Sequence, residues 1–322
     1  MLKYVLKRIL IIIPIVLAVI FVLFILIDAL PGSNIRQAPI HNNGDALDSV
    51  FAFFNAGENL FTRYARYCYN VFFHFDFGQS AATRVSLTGE ISRHTRVTLA
   101  ILAGGAGAAT FFGIPIGAYA AVHKNGKRDR IINIVTLIFS AIPNYALALV
   151  IALIFVMYLG LLPMMGRYTS PVSYIMPTLT LALGGISLLA RMTRASMLEE
   201  LRQPYIIALR SKGLKKENVV YRHALKNAAV TVISVLGGFF SQLICGTFVV
   251  EHFFNIPGIG LYMLRAVGLR DHLEILGCTV TMAVILAAIN VATDVLYAFV
   301  NPQIRLRYAK GERDALKKTA AE

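Results

Sequence analysis

The first residue in this sequence with evident chemical potential is an aspartate set in an apolar stretch. Asp294 stands with Asn290, Thr293 and Tyr297 at spacings of i, i+3, i+4 and i+7, which puts four polar groups on one face of a helix. A carboxylate in such surroundings is costly unless paired, so it either serves the passage of a solute or forms half of an ion pair. Pairing is the preferred reading, with Arg191 or Arg194 at the end of another apolar run as the expected partner. Glu251 and His252 offer an acid beside a base, and their place at the edge of an apolar run favours an interfacial polar pair over catalysis. No His-Glu-x-x-His pattern, Gly-x-Ser-x-Gly elbow or Gly-rich phosphate loop ending in Lys-Ser or Lys-Thr occurs. The expectation is a chain with no catalytic residues that neither binds nor hydrolyses ATP alone. The three cysteines, Cys68, Cys245 and Cys278, are too few and too scattered for a disulfide framework or a metal site.

A second kind of chemistry is docking. Between Arg191 and Lys226 the chain carries nine Lys and Arg. Leu201, Tyr205, Ala208 and Leu209 recur at helical spacing, Gly213 interrupts, and Val219, Val220, His223 and Ala224 resume the pattern. The stretch therefore reads as helix, glycine turn, helix, with Arg210, Lys212, Lys215 and Lys216 on a basic outer face. Such an element suits another protein; the alternative is an amphipathic connector on anionic lipid headgroups.

What must position these groups is set by composition. Of 322 residues, 57% are hydrophobic and 15% charged, and mean hydropathy is +0.65, which does not describe a water-facing surface. Six apolar runs reach the roughly 20 residues that a helix needs to cross the hydrocarbon core: 9–30, 97–122, 131–159, 172–190, 228–250 and 277–300. Their length and their apolar character all round argue against barrel strands. The expected fold is all-α, a polytopic membrane protein of six transmembrane helices. The first run opens with Lys3, Lys7 and Arg8 as a secretory signal would, but is long for one and lacks a small-residue cleavage site; it is kept as a span.

The formal charge of +14 raises nucleic acid as a partner, and its distribution argues against that. With six spans, 22 of the 31 Lys and Arg fall on one side: the N-terminus, the 123–130 loop, the 191–226 loop and the tail from Arg305. Basic loops mark the cytoplasmic side, so both termini are expected there. The 31–96 segment lies opposite, and its aromatics from Phe51 to Phe77 either pack on the outer mouth or lie among lipid headgroups. In the second span Gly105, Ala109, Gly113 and Gly117 recur every fourth residue, a small-residue stripe that lets another helix approach closely; Gly237, Ser241 and Cys245 repeat the device in the fifth. Pro115 and Pro143 are expected to kink the second and third spans.

The sequence resembles the B-type transmembrane subunits of ATP-binding-cassette importers for dipeptides, oligopeptides and, in some branches, nickel. The resemblance runs nearly end to end. MLKYVLKRILIIIPIV with ALPGS is similar to the family's opening helix, and HFDFGQS to a pattern of its first external segment. FSAIPNYALALV with LLPMMG is similar to the third helix and the turn after it. IMPTLTLAL followed by ARMTRASMLEELRQPYIIALRSKGL is the strongest piece; VVEHFFNIPGIG, LRDHLEILG and NPQIR extend the likeness to the end. The general importer loop reads Glu-Ala-Ala, three residues, Gly, nine residues, Ile, one residue, Leu-Pro. Aligned on Gly213, Ala208, Gly213 and Leu225 match, while the Glu, the second Ala, the Ile and the Pro are replaced by Ile207, Leu209, His223 and Lys226.

The resemblance implies a type I importer fold in the bacterial cytoplasmic membrane. It divides the chain into a first helix (1–30), an extracytoplasmic segment (31–96), a permease core (97–300) whose coupling loop spans 191–227, and a cytoplasmic tail (301–322). A short helix around Ala208 to Arg222 would dock in a groove of an ATPase, with Tyr205, Ala208, Leu209, Arg210, Ser211, Lys212, Gly213, Leu214, Val219, Arg222, His223 and Leu225 forming the docking loop. Glu251, Phe254, Pro257, Gly258, Gly260 and Asp271 would shape the external mouth. The implied partners are a similar C-type permease, two ATPases holding ATP and Mg, and an external substrate-binding protein; this chain would hold no cofactor or metal. Peptide is the expected cargo, with nickel or another small solute as the alternative. An ion-coupled carrier or channel is disfavoured, because the spans hold little charge beyond Asp294.

Overall fold

A computed structural model describes residues 2–29, 59–164 and 170–300. The start of the expected external segment, part of the LLPMMG turn and the basic tail with NPQIR lie outside the described residues. Among the described residues the chain is helical, without strands, apart from one isolated bridge between Gln79 and Ser86. The helices are α1 (Leu2–Ala29), α2 (Leu60–His74), α3 (Leu87–Val122), α4 (Lys127–Ala141) and α5 (Asn144–Ala152), which runs on into a π-helical turn (Leu153–Tyr158). A 3-10 turn (Pro171–Tyr174) leads to α6 (Ile175–Glu200), then α7 (Pro204–Ser211). A second π-helical turn (Asn218–Ala224) enters α8 (Leu225–Phe253), followed by α9 (Ile259–Leu269) and α10 (His272–Val300).

Among the described residues five stretches are long and apolar enough to cross a membrane, in α1, α3, α6, α8 and α10. The expected third span is instead two helices, α4 and α5, meeting at 105°. Pro143 makes the break. Its ring disfavours helical geometry in the preceding residue, and Ile142 sits at φ −80° and ψ 123°, where α4 ends. At Pro115, by contrast, α3 continues unbroken, as membrane helices often allow when their neighbours re-satisfy the freed backbone groups. Asn144, the first residue after the break, lies in a notch between α6 and α8: a Cβ at Gly246 would come 2.7 Å from its amide nitrogen.

Packing decides whether the bent pair crosses. The small-residue stripe of α3 lies directly on α6. A Cβ at Gly105 would sit 3.0 Å from the Leu181 Cβ, and one at Gly113 would sit 2.9 Å from the Leu189 Cβ. At Gly117 it would collide with the Ala190 carbonyl. Contacts rise in the same order along both helices, so α3 and α6 run parallel. Two adjacent parallel spans require a return crossing between them, and the chain between them is α4 with α5. The Asp129–Arg194 ion pair agrees, since it joins the start of α4 to the last third of α6 on one face of the bundle. Among the described residues the chain therefore makes six crossings, one of them a broken helix.

The α3/α6 pair is the centre of the core. Ile101, Leu181, Leu189 and Phe239 are buried there, the Phe239 ring filling the space above Gly185 and Ala109. Outside it, α10 lies against α8 and α1 against α10. Side chains such as Leu10, Ile13, Leu137 and Phe299 face outward, where lipid is the solvent. Without a hydrophobic drive between helices in lipid, close van der Waals contact of small residues holds such a pair together. Gly117→Ala should therefore lower the thermal midpoint of the purified protein, at a cost of about 1–3 kcal/mol for overpacking. Gly107→Ala meets nothing within 4 Å and should leave the midpoint level or slightly higher. Equal loss in the two variants would contradict the packing.

Candidate functional site

Two polar constructions bracket the bundle, one on each face. On the basic face, Pro204 opens α7 at a position where its missing N–H costs nothing. The helix ends within two turns, and Gly213 reverses the chain at φ +78°, a left-handed backbone that favours glycine. The expected single helix from Ala208 to Arg222 is thus not formed: the helix precedes Gly213, and the chain after it rejoins α8 through the Asn218–Ala224 turn. Because Gly213 resets the phase, the residues expected to dock divide. Ala208, Arg210, Ser211, Lys212, Gly213 and Arg222 are exposed, together with Ile207, the residue that stands in place of the general loop's Glu. Val219 is fully buried, and Tyr205, Leu209, Leu214, His223 and Leu225 are half-buried.

Those inward residues explain why the hairpin is rigid. Ile206, Val219, Val220 and Ala224 form one cluster with Ala118 and Ala121 of α3, Met197 of α6 and Ala228 of α8. The Tyr205 hydroxyl donates to Glu200 of α6 at 2.6 Å and accepts from the Asn227 amide of α8 at 3.0 Å. Burial and the neighbouring Glu200 push the Tyr205 hydroxyl up to about 12, so it stays a donor throughout the physiological range. The hairpin is bolted to the ends of three spans.

Beside it, Arg194 grips Asp129 with two hydrogen bonds, Nε to Oδ1 at 2.6 Å and Nη2 to Oδ2 at 2.8 Å. Asp129 is buried and also accepts from the Asn133 amide at 2.8 Å and the Asn125 N–H at 2.9 Å, so each carboxylate oxygen has two donors. Sequence reasoning missed Asp129; its one signal was being the lone acid in the run KNGKRDR. Arg194 is therefore not the partner of Asp294, nor is Arg191: Asp294 pairs with Arg8 at 2.9 Å, because α1 lies along α10 and brings its basic end level with the carboxylate. The polar face of α10 is split between two neighbours. Asn290 and Thr293 turn toward Gly237 of α8, whose carbonyl accepts from Ser241, while Asp294 turns toward α1.

On the opposite face Glu251 is fully buried, and its carboxylate is an acceptor for three donors. Thr98 Oγ1 of α3 donates to Oε1 at 2.6 Å; the Gly260 and Leu261 N–H groups donate to Oε2 at 2.8 and 3.2 Å. Glu251 thereby caps the first turn of α9, whose amides would otherwise lack acceptors. Thr98 accepts in turn from the Ile259 N–H at 2.8 Å. Gly258 and Gly260 are small for this reason, as a Cβ at Gly258 would overlap the Glu251 carboxyl group. His94 contacts the Pro257 carbonyl through Nδ1 at 2.6 Å and stacks on Tyr262, ring centroids 4.2 Å apart. Asp271 accepts from Ser80 Oγ at 2.7 Å and the Ala82 N–H at 3.1 Å, and caps α10 through the Glu274 N–H. Glu251, Phe254 and Asp271 are all buried, so they brace this face from beneath. His252 is exposed and does not pair with Glu251 as expected. Thr98, His94 and Ser80 complete the brace; Ser80 closes the HFDFGQS pattern, while Thr98 and His94 carry no sequence motif that marks them.

Residues 113–306 match the family described as binding-protein-dependent transport system inner membrane component. The dipeptide transport system permease protein of Bacillus subtilis is 31% identical over 307 residues, covering 95% of this chain and 99% of that one. The glutathione transport system permease protein of Salmonella paratyphi A is 34% identical over 308 residues, covering 95% and 100%. The protein of the same name from Escherichia coli (strain K12) is 32% identical over 308 residues, with the same coverage. A solved structure described as inward facing conformations of the MetNI methionine ABC transporter superposes with a TM-score of 0.56 at 18% identity. It covers 67% of this chain and 98% of that chain, a likeness of fold.

Replacing Glu251 tests the brace. In Glu251→Ala the Thr98 hydroxyl and two amides lose their acceptor, at about 1–3 kcal/mol for each buried group left unmade. The thermal midpoint should fall and the 256–269 segment should become open to protease, while Glu251→Gln, which keeps one acceptor oxygen, should fall less. An alanine variant as stable and as resistant as the parent would remove Glu251 from this role.

Proposed function

The chain belongs to the family of inner membrane components of binding-protein-dependent transport systems, and from that membership we propose that it forms half of the path by which an ATP-driven importer takes up di- or oligopeptides. It is a multi-pass, six-crossing permease subunit. Its relatives over nearly their whole length are named for dipeptide and glutathione transport, which supports short peptides as cargo. The basic face lies in the bacterial cytoplasm, where the excess of Lys and Arg belongs. ATP and Mg belong to two ATPase subunits, and this chain holds no catalytic residue or cofactor of its own. A homologous C-type permease completes the path, and an external binding protein delivers cargo to the face braced by Glu251 and Asp271. The division into an external segment (31–96), a core (97–300) and a cytoplasmic tail (301–322) is part of the same reading.

The observation that carries the proposal is the hairpin. Its tip, from Ala208 to Gly213, is exposed and basic, while its inner side is fused to the ends of α3, α6 and α8. An ATPase that grips the tip moves three spans as a unit. No loop has to transmit the force, because the Ile206–Val219 cluster and the Tyr205 bridge already do. Arg194 extends the same body to the broken span through Asp129.

Gly213 gives the test. A Cβ there meets nothing within 4 Å, so the strain of a substitution is the backbone's alone. Gly213→Val should insert and assemble normally yet lose most of the substrate-stimulated ATPase activity of the reconstituted complex. Gly213→Asn, better tolerated in left-handed backbone, should retain more of it. Full stimulation in the valine variant would refute the docking role.

A further inference from the structure

Between α3, α4 and α6 runs an open groove of about 740 Å³ that none of the preceding functions uses. Phe112, Ile116, Ile132, Val135, Phe139 and Ile186 line it. It lies within membrane-crossing helices, and the medium at its mouth is hydrocarbon; Phe112 and Val135 are half-exposed to it. At the basic end of the groove the chemistry changes. Tyr119 lines that end, and its hydroxyl accepts from Arg128 Nη1 at 2.7 Å, with the guanidinium 5.9 Å from the ring centre. The His123 ring lies 4.3 Å from Tyr119 and 3.5 Å from Arg128. Lys127 and Arg130 flank Arg128 and are exposed. The one acid of that run, Asp129, faces away into its pair with Arg194. Across the groove Tyr221 forms the other rim, with Glu217 one turn before it.

Apolar walls within the bilayer and a cationic rim at its cytoplasmic surface match one molecule at both ends. We propose that this groove holds an anionic phospholipid, with an acyl chain along α4 and the phosphate at Arg128. Basic pockets between spans on the cytoplasmic side are suited to such headgroups, because a phosphate there gains charge pairing while its chain stays in hydrocarbon. The α4 residues that line the groove, from Ile131 to Phe139, all precede the break at Pro143. The headgroup residue is adjacent in sequence to Asp129, so the lipid stands against the ion pair that ties α4 to α6, the helix that leads into the hairpin.

The test is retention of lipid by the assembled transporter, followed by native mass spectrometry after exchange into phosphatidylglycerol or phosphatidylcholine. The parent should keep phosphatidylglycerol in preference. Arg128→Gln, at an exposed position that threatens no packing, should reduce retention about fivefold, the value of one basic residue near an anionic surface. Ile132→Trp, which fills the groove without changing charge, should also displace the lipid. A photo-reactive residue at Val135 should label lipid. Equal retention of both lipids, unchanged retention in Arg128→Gln, or labelling of the second permease in place of lipid would overturn the proposal, the last result making the groove a protein interface.

Discussion

Everything in this protein hangs on how closely α3 approaches α6. Lipid gives two helices no hydrophobic reason to associate, so the contact has to come from backbone meeting backbone, and that is possible only where side chains are absent or nearly so. Gly105, Ala109, Gly113 and Gly117 supply that surface, and Gly185 answers from α6. The pairing is parallel, with a topological consequence. The intervening chain must return across the bilayer, and a helix broken at Pro143 is what returns it. Once α3 and α6 end together, their last turns and the start of α8 form a platform on one face, and the hairpin has somewhere to be fixed.

The charged groups follow from that platform. An ionised side chain near the bilayer is tolerated when its hydrogen-bonding capacity is filled, and each carboxylate here meets that condition differently. Asp129 is enclosed by Arg194, Asn133 and a backbone amide; Asp294 takes Arg8 from a neighbouring helix in a more open setting; Glu251 takes no cation and serves as a cap for α9. The first ties α4 of the broken span to α6, the second ties α1 to α10, and the third ties the start of α9 to α3. Both ends of the bundle are braced. Between them the α3 and α6 backbones meet in close van der Waals contact at Gly105, Gly113 and Gly185.

Much of this was legible in the sequence. Hydropathy marks each crossing, because the length of an apolar run is set by the thickness of the bilayer. It underestimates the helices: α3 begins at Leu87 and α6 runs to Glu200, since a helix continues into the headgroup region after its residues turn polar. Helical spacing also found the glycine turn of the hairpin. The short helix that the resemblance implied from Ala208 to Arg222 is interrupted at Gly213, and the burial of Val219 against α3 and α6 was not visible, because spacing does not show which helices lie beneath the hairpin. Ion-pair partners were the least legible feature. Spacing shows which residues share a helix face, but not which helix lies opposite, so it offers Arg191 or Arg194 for Asp294, whereas Asp294 pairs with Arg8 and Arg194 with Asp129. The buried brace was half legible for a similar reason: Glu251 stood out as an acid at the edge of an apolar run, but its partner Thr98 lies far off in sequence and nothing marks it.

The central claim is that the hairpin is a cytoplasmic handle, rigidly joined to the spans and reached only from the side of the ATPase. Labelling a single cysteine at Lys212, in a chain whose Cys68, Cys245 and Cys278 have been replaced, tests this directly. A membrane-impermeant thiol reagent added to intact cells should leave the position unlabelled, and the same reagent should label it once the membrane is opened, less so when the ATPase subunits are bound. Labelling in intact cells would put the hairpin on the outer face and contradict the account.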